Sequence, residues 1–199
     1  MRFHKIISVI LHPIVIPTIG VLLYFLLVPN TIQKQLQLTI LGLVFVVTYL
    51  IPVLLLAVLK AIGSIESYHV TTIKERKIPL AFMMVLFYLL GSTLIKLRSV
   101  SDLGILFYAT SLGIVLVYVL FLTKLKTSLH LLSMGIAVGF FLLIQNNYGI
   151  SFFPIIAVSI LFSGLLGSAR LHLKAHTPFE VYSGFIIGFL CPYFVNAFL

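Results

Sequence analysis

The densest group of polar side chains in this chain lies in segment 168–184, with the sequence Ser-Ala-Arg-Leu-His-Leu-Lys-Ala-His-Thr-Pro-Phe-Glu-Val-Tyr-Ser-Gly. Its ionisable residues stand between two long apolar runs; they are Arg170, His172, Lys174, His176 and Glu180. Ionisable groups at the end of a membrane span are costly and tend to mark a functional site. Guanidinium and ammonium groups bind anions, and histidine exchanges protons near neutral pH. The segment is therefore a candidate site for phosphate chemistry.

A helix is expected to begin inside this segment, at Pro178. Thr177-Pro178-Phe179-Glu180 has the form of a capping box with proline at the first helical position. The free N–H groups and positive dipole end of that helix would face the preceding loop, which suits an anion such as phosphate. The alternative is that Glu180 only caps the helix while Arg170 and Lys174 only meet lipid headgroups.

Composition limits the elements that could position these groups. The 199 residues are 61% hydrophobic and 9% charged, with a mean hydropathy of +1.24. These values predict an all-α, polytopic transmembrane helical bundle that forms a single integral membrane domain over 1–199. The single cysteine, Cys191, excludes a disulfide framework and a cysteine-based metal site. The net charge of +9 lies in short loops, so we expect the anionic headgroups of membrane lipids and a phosphorylated ligand as partners rather than nucleic acid.

The apolar runs predict seven spans, the first of which contains Pro13 and Pro17 and could kink. They are 6–28, 37–59, 79–96, 103–122, 129–146, 152–169 and 179–198. With seven spans, the N-terminus and the connections 60–78, 123–129 and 168–178 share one membrane face, here called the site face. Every histidine after the first span falls on the site face, as do three of the four acidic residues. This distribution indicates a one-sided site assembled from three loops.

Three motifs on the site face are similar to the signatures of the type 2 phosphatidic acid phosphatase (PAP2) superfamily. The third signature of the family is Ser-Arg, five residues, His, three residues and Asp. It is similar to the segment from Arg170 to Glu180, where five residues separate Arg170 from His176 and three separate His176 from Glu180. The sequence Thr-Ser-Leu-His that ends at His130 resembles a degenerate copy of the second signature, Pro-Ser-Gly-His. The first signature is Lys, six residues and Arg-Pro. It resembles, in degenerate form, the segment in which six residues separate His69 from Arg76. The chain is identified as a degenerate member of this superfamily over about 69–184.

The resemblance implies a role for each matching residue. His176 would be the nucleophile that forms a phosphohistidine, Glu180 would fix its tautomer, and His130 would be the general acid. The phosphate-binding residues would be Arg76, Lys74, Arg170 and Ser128, with Lys74 replacing the missing first-signature lysine. Neither a metal ion nor another cofactor is required by this scheme.

The implied activity is hydrolysis of a lipid phosphate, such as phosphatidic acid, phosphatidylglycerol phosphate or a polyprenyl (di)phosphate. One alternative is a catalytically degenerate protein that binds or transports a lipid phosphate, because Leu129 replaces a glycine that allows close backbone approach. Another is a zinc site on one helix face formed by His172, His176 and Glu180, against which Pro178 argues.

The expected location is the inner (cytoplasmic) membrane of a bacterium. Ten of the 13 Lys and Arg residues fall on the site face. The positive-inside rule therefore predicts a cytoplasmic N-terminus and site, with the C-terminus outside. When the candidate site residues Lys74, Arg76 and Arg170 and their neighbour Lys77 are set aside, the same bias persists.

Overall fold

The computed structural model describes residues 2–29, 32–68 and 70–199. Within these ranges the regular structure is helical and contains no strand, which confirms the predicted all-α class. A π-helical turn over Val46–Leu50 joins α3 to α4. The helices are α1 (Arg2–Ile10), α2 (Ile16–Leu27), α3 (Lys34–Phe45), α4 (Ile51–Ala61), α5 (Ile73–Leu94), α6 (Ser101–Leu120), α7 (Leu129–Tyr148), α8 (Phe153–His172) and α9 (Pro178–Phe198).

Six helical segments in the described residues are long and apolar enough to cross a membrane. They confirm a polytopic helical membrane protein, and they correspond to the second through seventh predicted spans. They are Lys34–Ala61, Ile73–Leu94, Arg98–Thr123, Leu129–Tyr148, Phe153–His172 and Pro178–Phe198.

The first predicted span, 6–28, is not one helix. It consists of α1 and α2, separated by an irregular turn around Pro13. Proline removes a backbone N–H and its ring clashes with the preceding helical turn, so a helix does not run through this position. Pro17 lies in the first turn of α2, where proline is tolerated.

This broken segment still connects the two ends of the bundle. In α1, Ser8 bonds to His130 at the start of α7. At the other end, the Tyr24 hydroxyl of α2 donates to Asp102 at 3.0 Å, and the Tyr148 hydroxyl donates to the same carboxylate oxygen at 2.7 Å. The segment 2–27 thus runs from the site end to the opposite end, so the predicted grouping of the loops is retained.

Helix α5 begins earlier than the predicted third span, 79–96. Thr72 and Glu75 form a capping box in which the Thr72 hydroxyl accepts from the Glu75 backbone N–H. This cap starts the helix at Ile73, and Pro79 lies inside it. Arg76 therefore projects from a helical turn instead of the expected loop.

Close packing between α7 and α9 sets the geometry of the site end. A Cβ on Gly188 of α9 would overlap the carbonyl oxygen of Leu132, and one on Gly135 of α7 would overlap that of Phe185. A Cβ on Gly184 would lie 2.6 Å from the Ser128 carbonyl oxygen. Small residues at such positions let helix backbones approach closely in membranes. The starts of α7 and α9, which carry His130 and Glu180, are therefore held side by side.

Candidate phosphate site

A cavity of about 850 Å³ opens among the helices at the site end. Its lining includes Arg76 from α5, His130 from α7, Arg170 from α8 and His176 from the connection between α8 and α9. The structure therefore brings four of the seven predicted site residues to one space. Lys5, Lys126 and Lys174 also line it, and no Asp or Glu does so within the described residues.

The cavity continues into the apolar interior of the bundle. Its lining along α5 runs from Arg76 to Phe87, and along α7 from His130 to Phe141. Eleven helical residues at 1.5 Å each give a depth of about 16 Å. The space is therefore cationic at one end and apolar along its length, as an anionic amphiphile would require.

His176 is held in a defined tautomer. Its Nδ1 lies 2.9 Å from the Lys126 carbonyl oxygen and 3.2 Å from Glu180 Oε2. Both partners can only accept, so Nδ1 carries the hydrogen and Nε2 keeps its lone pair. No described residue forms a hydrogen bond with Nε2. Burial, followed by the charges of Arg170 and Arg76, lowers the pKa of His176, against the opposing effect of Glu180. The imidazole is consequently neutral near pH 7 and can act as a nucleophile.

Glu180 links the start of α9 to the connection that precedes α7. Oε2 accepts from the Thr177 backbone N–H at 2.9 Å, which completes the predicted capping box of α9. Oε1 accepts from the Lys126 backbone N–H at 3.2 Å. The Glu180 carbonyl oxygen also accepts from the Ser128 N–H at 3.0 Å. The carboxylate therefore caps the helix and contacts His176 at the same time, so the two interpretations of Glu180 are compatible.

Each of the two arginines has a buried guanidinium nitrogen with no hydrogen-bond partner in the part of the chain that the structure describes. Arg170 Nη1 donates to Ser8 Oγ at 2.8 Å, whereas its Nε is buried with no hydrogen bond to a described residue. Arg76 Nε donates to the Val70 carbonyl oxygen at 3.0 Å, whereas its Nη1 is buried and likewise unpaired. Burying unpaired donors is unfavourable, and an oxyanion in the cavity would satisfy them.

His130 is the second residue of α7, and its ring contacts α1. Nε2 lies 3.1 Å from the Ser8 carbonyl oxygen, which can only accept, so this nitrogen carries a hydrogen. The ring of His12, which also lines the cavity, packs edge-on against that of His130 at 5.1 Å between centroids. The bond to Ser8 leaves Nδ1 of His130 for proton transfer.

Three residues of the predicted motifs lie elsewhere. Ser128 is fully buried, its Oγ has no partner among the described residues, and it does not line the cavity. Lys74 is exposed on α5, outside the lining, because residues two apart on a helix do not face the same direction. Glu180 lies behind His176 rather than in the cavity wall. His69 falls outside the described residues.

Three polar residues of the N-terminal segment contribute to the cavity although no motif includes them. Lys5, Ser8 and His12 all line it. Their spacing of three and four positions is that of one helix face, in a stretch otherwise apolar. This polar stripe is the sequence signal that could have identified them.

The predicted zinc alternative required one continuous helix through His172 and Glu180. Helix α8 ends at His172 and α9 begins at Pro178, so the two residues belong to different helices. The His172 ring stacks on that of His4 at 4.0 Å, whereas His176 faces Glu180. No group of three or more His, Cys, Asp or Glu in the described ranges could hold a metal ion.

The arrangement combines a neutral, oriented imidazole with unpaired guanidinium donors and a second histidine. Such a set can bind a phosphoryl group, attack its phosphorus and exchange protons with a leaving oxygen. In comparisons with known proteins, the chain matches no protein-family model, no curated protein and no solved structure.

Proposed function

We propose that this membrane protein is a lipid phosphate phosphatase of the PAP2 type, which hydrolyses a phosphomonoester or pyrophosphate through a phosphohistidine. One observation carries the proposal. His176 donates its Nδ1–H to the Lys126 carbonyl oxygen and Glu180, and no described residue bonds to its Nε2. The same cavity is lined by His176, Arg76 and Arg170. An activated nucleophile next to fixed cationic donors is what phosphoryl transfer to a side chain needs.

The reaction has two steps. First, the Nε2 lone pair of His176 attacks phosphorus, and the bond from phosphorus to the lipid oxygen breaks. Protonated His130 donates its Nδ1 hydrogen to the departing oxygen, so the lipid alcohol leaves neutral. Second, water attacks the phosphohistidine while neutral His130 takes its proton, and the bond between phosphorus and nitrogen breaks. Inorganic phosphate leaves and both histidines return to their starting states.

The arginines supply the electrostatic contribution. Negative charge spreads over the equatorial phosphoryl oxygens in the transition state, and fixed donors in a site of low dielectric stabilise it. Arg76 and Arg170 each have a guanidinium nitrogen that no described residue bonds, which suits this role. Lys5, Lys126 and Lys174 add to the positive potential. The cationic side chains are thus sufficient to account for the charge stabilisation without a metal ion.

The shape of the cavity supports a lipid substrate. The apolar lining that continues for about 16 Å below the charged end suits an acyl or isoprenyl chain, since apolar contact needs no directed groups. Phosphatidic acid, phosphatidylglycerol phosphate and polyprenyl (di)phosphates share this chemistry. We propose the cytoplasmic membrane of a bacterium as the location, with the site on the cytoplasmic side because the site face carries most of the basic residues.

A second candidate function is binding or transport of a lipid phosphate without hydrolysis. Leu129 lines the cavity beside His130, at the position where the resemblance has glycine. Its side chain could keep the phosphoryl group away from His176 while the cations still hold it. This candidate predicts tight phosphate binding with no turnover.

Release of inorganic phosphate from micellar phosphatidic acid, phosphatidylglycerol phosphate and a polyprenyl diphosphate tests the proposal. We expect turnover by the wild type and none above background by His176→Ala. His172→Ala is the matched control, because it removes an imidazole four positions away that does not line the cavity; it should keep most of the activity. Phosphate release by His176→Ala at the wild-type rate, or binding of all three lipids without release by the wild type, would contradict the proposal.

A further inference from the structure

Ser8 occupies an unusual position for a residue of an N-terminal amphipathic helix. It is only 7% exposed, lies in α1 and lines the cavity near its charged end. The structure connects it to two of the proposed site residues, which come from two different helices. Its contacts therefore bear on how the site is held together.

Both oxygens of Ser8 accept hydrogen bonds from the site. The hydroxyl oxygen accepts from Arg170 Nη1 at 2.8 Å, and the carbonyl oxygen accepts from His130 Nε2 at 3.1 Å. Arg170 lies in the last turn of α8 and His130 in the first turn of α7. No other hydrogen bond within the described residues fixes the Arg170 guanidinium. Ser8 is thus the residue that orients it.

We propose that Ser8 is a positioning residue of the phosphate site, an inference that rests on the proposed function. Through Nη1 it sets the plane of the Arg170 guanidinium, and through its carbonyl oxygen it selects the ring nitrogen with which His130 transfers a proton. A fixed donor stabilises a developing charge more than one that must first be ordered. Helix α1 is therefore part of the site.

The bond to Ser8 does not consume the edge of Arg170 that phosphate needs. A guanidinium has five N–H donors, and bidentate binding of an oxyanion uses two adjacent nitrogens. Ser8 takes Nη1, and the buried Nε remains unpaired within the described residues. No described residue therefore forms a hydrogen bond with the edge formed by Nε and Nη2, which is the edge that bidentate phosphate binding uses. This geometry distinguishes an orienting contact from one that blocks the site.

Ser8 contributes a hydroxyl to the cavity, whereas the motif residue Ser128 does not. Ser128, predicted to help hold phosphate, lies outside the cavity lining, and its carbonyl packs against Gly184. The Ser8 hydroxyl accepts a hydrogen bond from Arg170, although Ser8 lies near the start of the sequence and Arg170 near its end. None of the three motifs includes the contact between Ser8 and Arg170, because that contact depends on how α1 packs against α8.

The test compares Ser8→Ala and Ser8→Thr with wild type in the full-length protein. Two measurements are made: inhibition by orthovanadate, and kcat and KM for micellar phosphatidic acid. Ser163→Ala is the matched control, since it removes a buried hydroxyl on α8 that lies outside the cavity and, among the described residues, bonds only to Ser159 O. Thermal unfolding of each variant separates a folding defect from a change at the site.

We expect Ser8→Ala to weaken orthovanadate inhibition about tenfold, which corresponds to about 1.4 kcal/mol, and to lower kcat/KM at least as much. Ser8→Thr should restore most of both values, because the hydroxyl returns, and Ser163→Ala should change neither. Unchanged values in a folded Ser8→Ala protein would overturn the inference. Stronger inhibition together with faster turnover would also overturn it, because Ser8 would then be blocking the site.

The outcomes separate this inference from the proposed function. If wild type releases no phosphate, the proposed hydrolysis is wrong, and direct binding of inorganic phosphate then tests Ser8. A tenfold loss of phosphate affinity in Ser8→Ala would sustain its positioning role in a binding protein. Equal affinities, or no phosphate binding by wild type, would contradict it.

Discussion

Glu180→Gln is the substitution that probes the site most selectively. Glutamine at the third helical position still completes a capping box, so α9 should start as before. The change removes the negative charge 3.2 Å from His176 Nδ1 but leaves the Lys126 carbonyl oxygen, 2.9 Å away, to hold the same tautomer. Glutamine has one acceptor oxygen: placed at the Oε2 position it keeps the Thr177 N–H, but its NH2 group then faces the Lys126 N–H and cannot accept from it. The loss is therefore that of the negative charge beside His176 together with one backbone hydrogen bond.

The expected magnitude follows from that loss. A hydrogen bond to a charged group contributes about 1.5–3 kcal/mol, so kcat should fall by roughly 10- to 150-fold at 1.4 kcal/mol per tenfold. The carboxylate matters most once His176 carries a positive charge, as it does in the phosphohistidine. Catalysis should consequently suffer more than binding, with KM changing little.

The pH dependence of kcat/KM provides an independent test of Glu180→Gln, through the direction in which its acid limb moves. Glu180 raises the pKa of His176, whereas burial and the charges of Arg170 and Arg76 lower it. Removing the carboxylate therefore lowers that pKa further, and His176 stays neutral to more acidic pH. The acid limb of the kcat/KM profile should move to lower pH while the plateau falls. A purely structural defect would reduce the plateau without moving the limb.

The assay is phosphate release between pH 4 and 9 from micellar phosphatidic acid, and it includes a matched control. Glu75→Gln changes the same residue in the capping box of α5, outside the cavity lining, and should leave both the plateau and the acid limb close to wild type. A Glu180→Gln protein with wild-type kcat, or with an acid limb moved to higher pH, would refute this account of Glu180.

Three further predictions concern the cations and the packing. Arg170→Lys should lower kcat/KM by about 10- to 100-fold in the phosphate-release assay, because lysine cannot bind phosphate bidentately; a twofold change would contradict that role. Lys74→Ala should leave kcat/KM near wild type, since Lys74 is exposed outside the cavity, and a tenfold loss would restore its predicted role. Gly188→Ala should destabilise the fold by about 1–3 kcal/mol in denaturant unfolding, because its Cβ would overlap Leu132 O. The control Gly164→Ala, with no atom within 4 Å of its Cβ, should unfold like wild type, and equal losses at both glycines would contradict the packing argument.

Hydrophobicity and capping signals were sufficient to predict much of the fold. Apolar runs of about 20 residues identify membrane helices because the bilayer core fixes their length. The capping box at Thr177 correctly predicted the start of α9 at Pro178. Continuous hydropathy predicts the first span as one helix, whereas the helical hydrogen bonding is interrupted around Pro13.

The site could be predicted only as far as its motifs extend. Residue type and spacing predict four site residues that line one cavity: Arg76, His130, Arg170 and His176. Its position two residues from Arg76 favours Lys74 as a phosphate-binding residue, but the helix that Thr72 caps directs Lys74 away from the cavity. Ser8 could not be chosen from a motif, because its contact with Arg170 joins residues 162 positions apart. Such contacts depend on tertiary packing.

Trapping of the phosphorylated intermediate tests the central claim most directly. Wild-type protein would be quenched in alkali during turnover of lipid labelled in its phosphate, digested, and examined by mass spectrometry and phosphorus NMR. The account predicts an acid-labile, alkali-stable label on His176, attached at Nε2 because Nδ1 donates to Lys126 and Glu180. A label on another residue, attachment at Nδ1, or steady turnover with no label on His176 would contradict it.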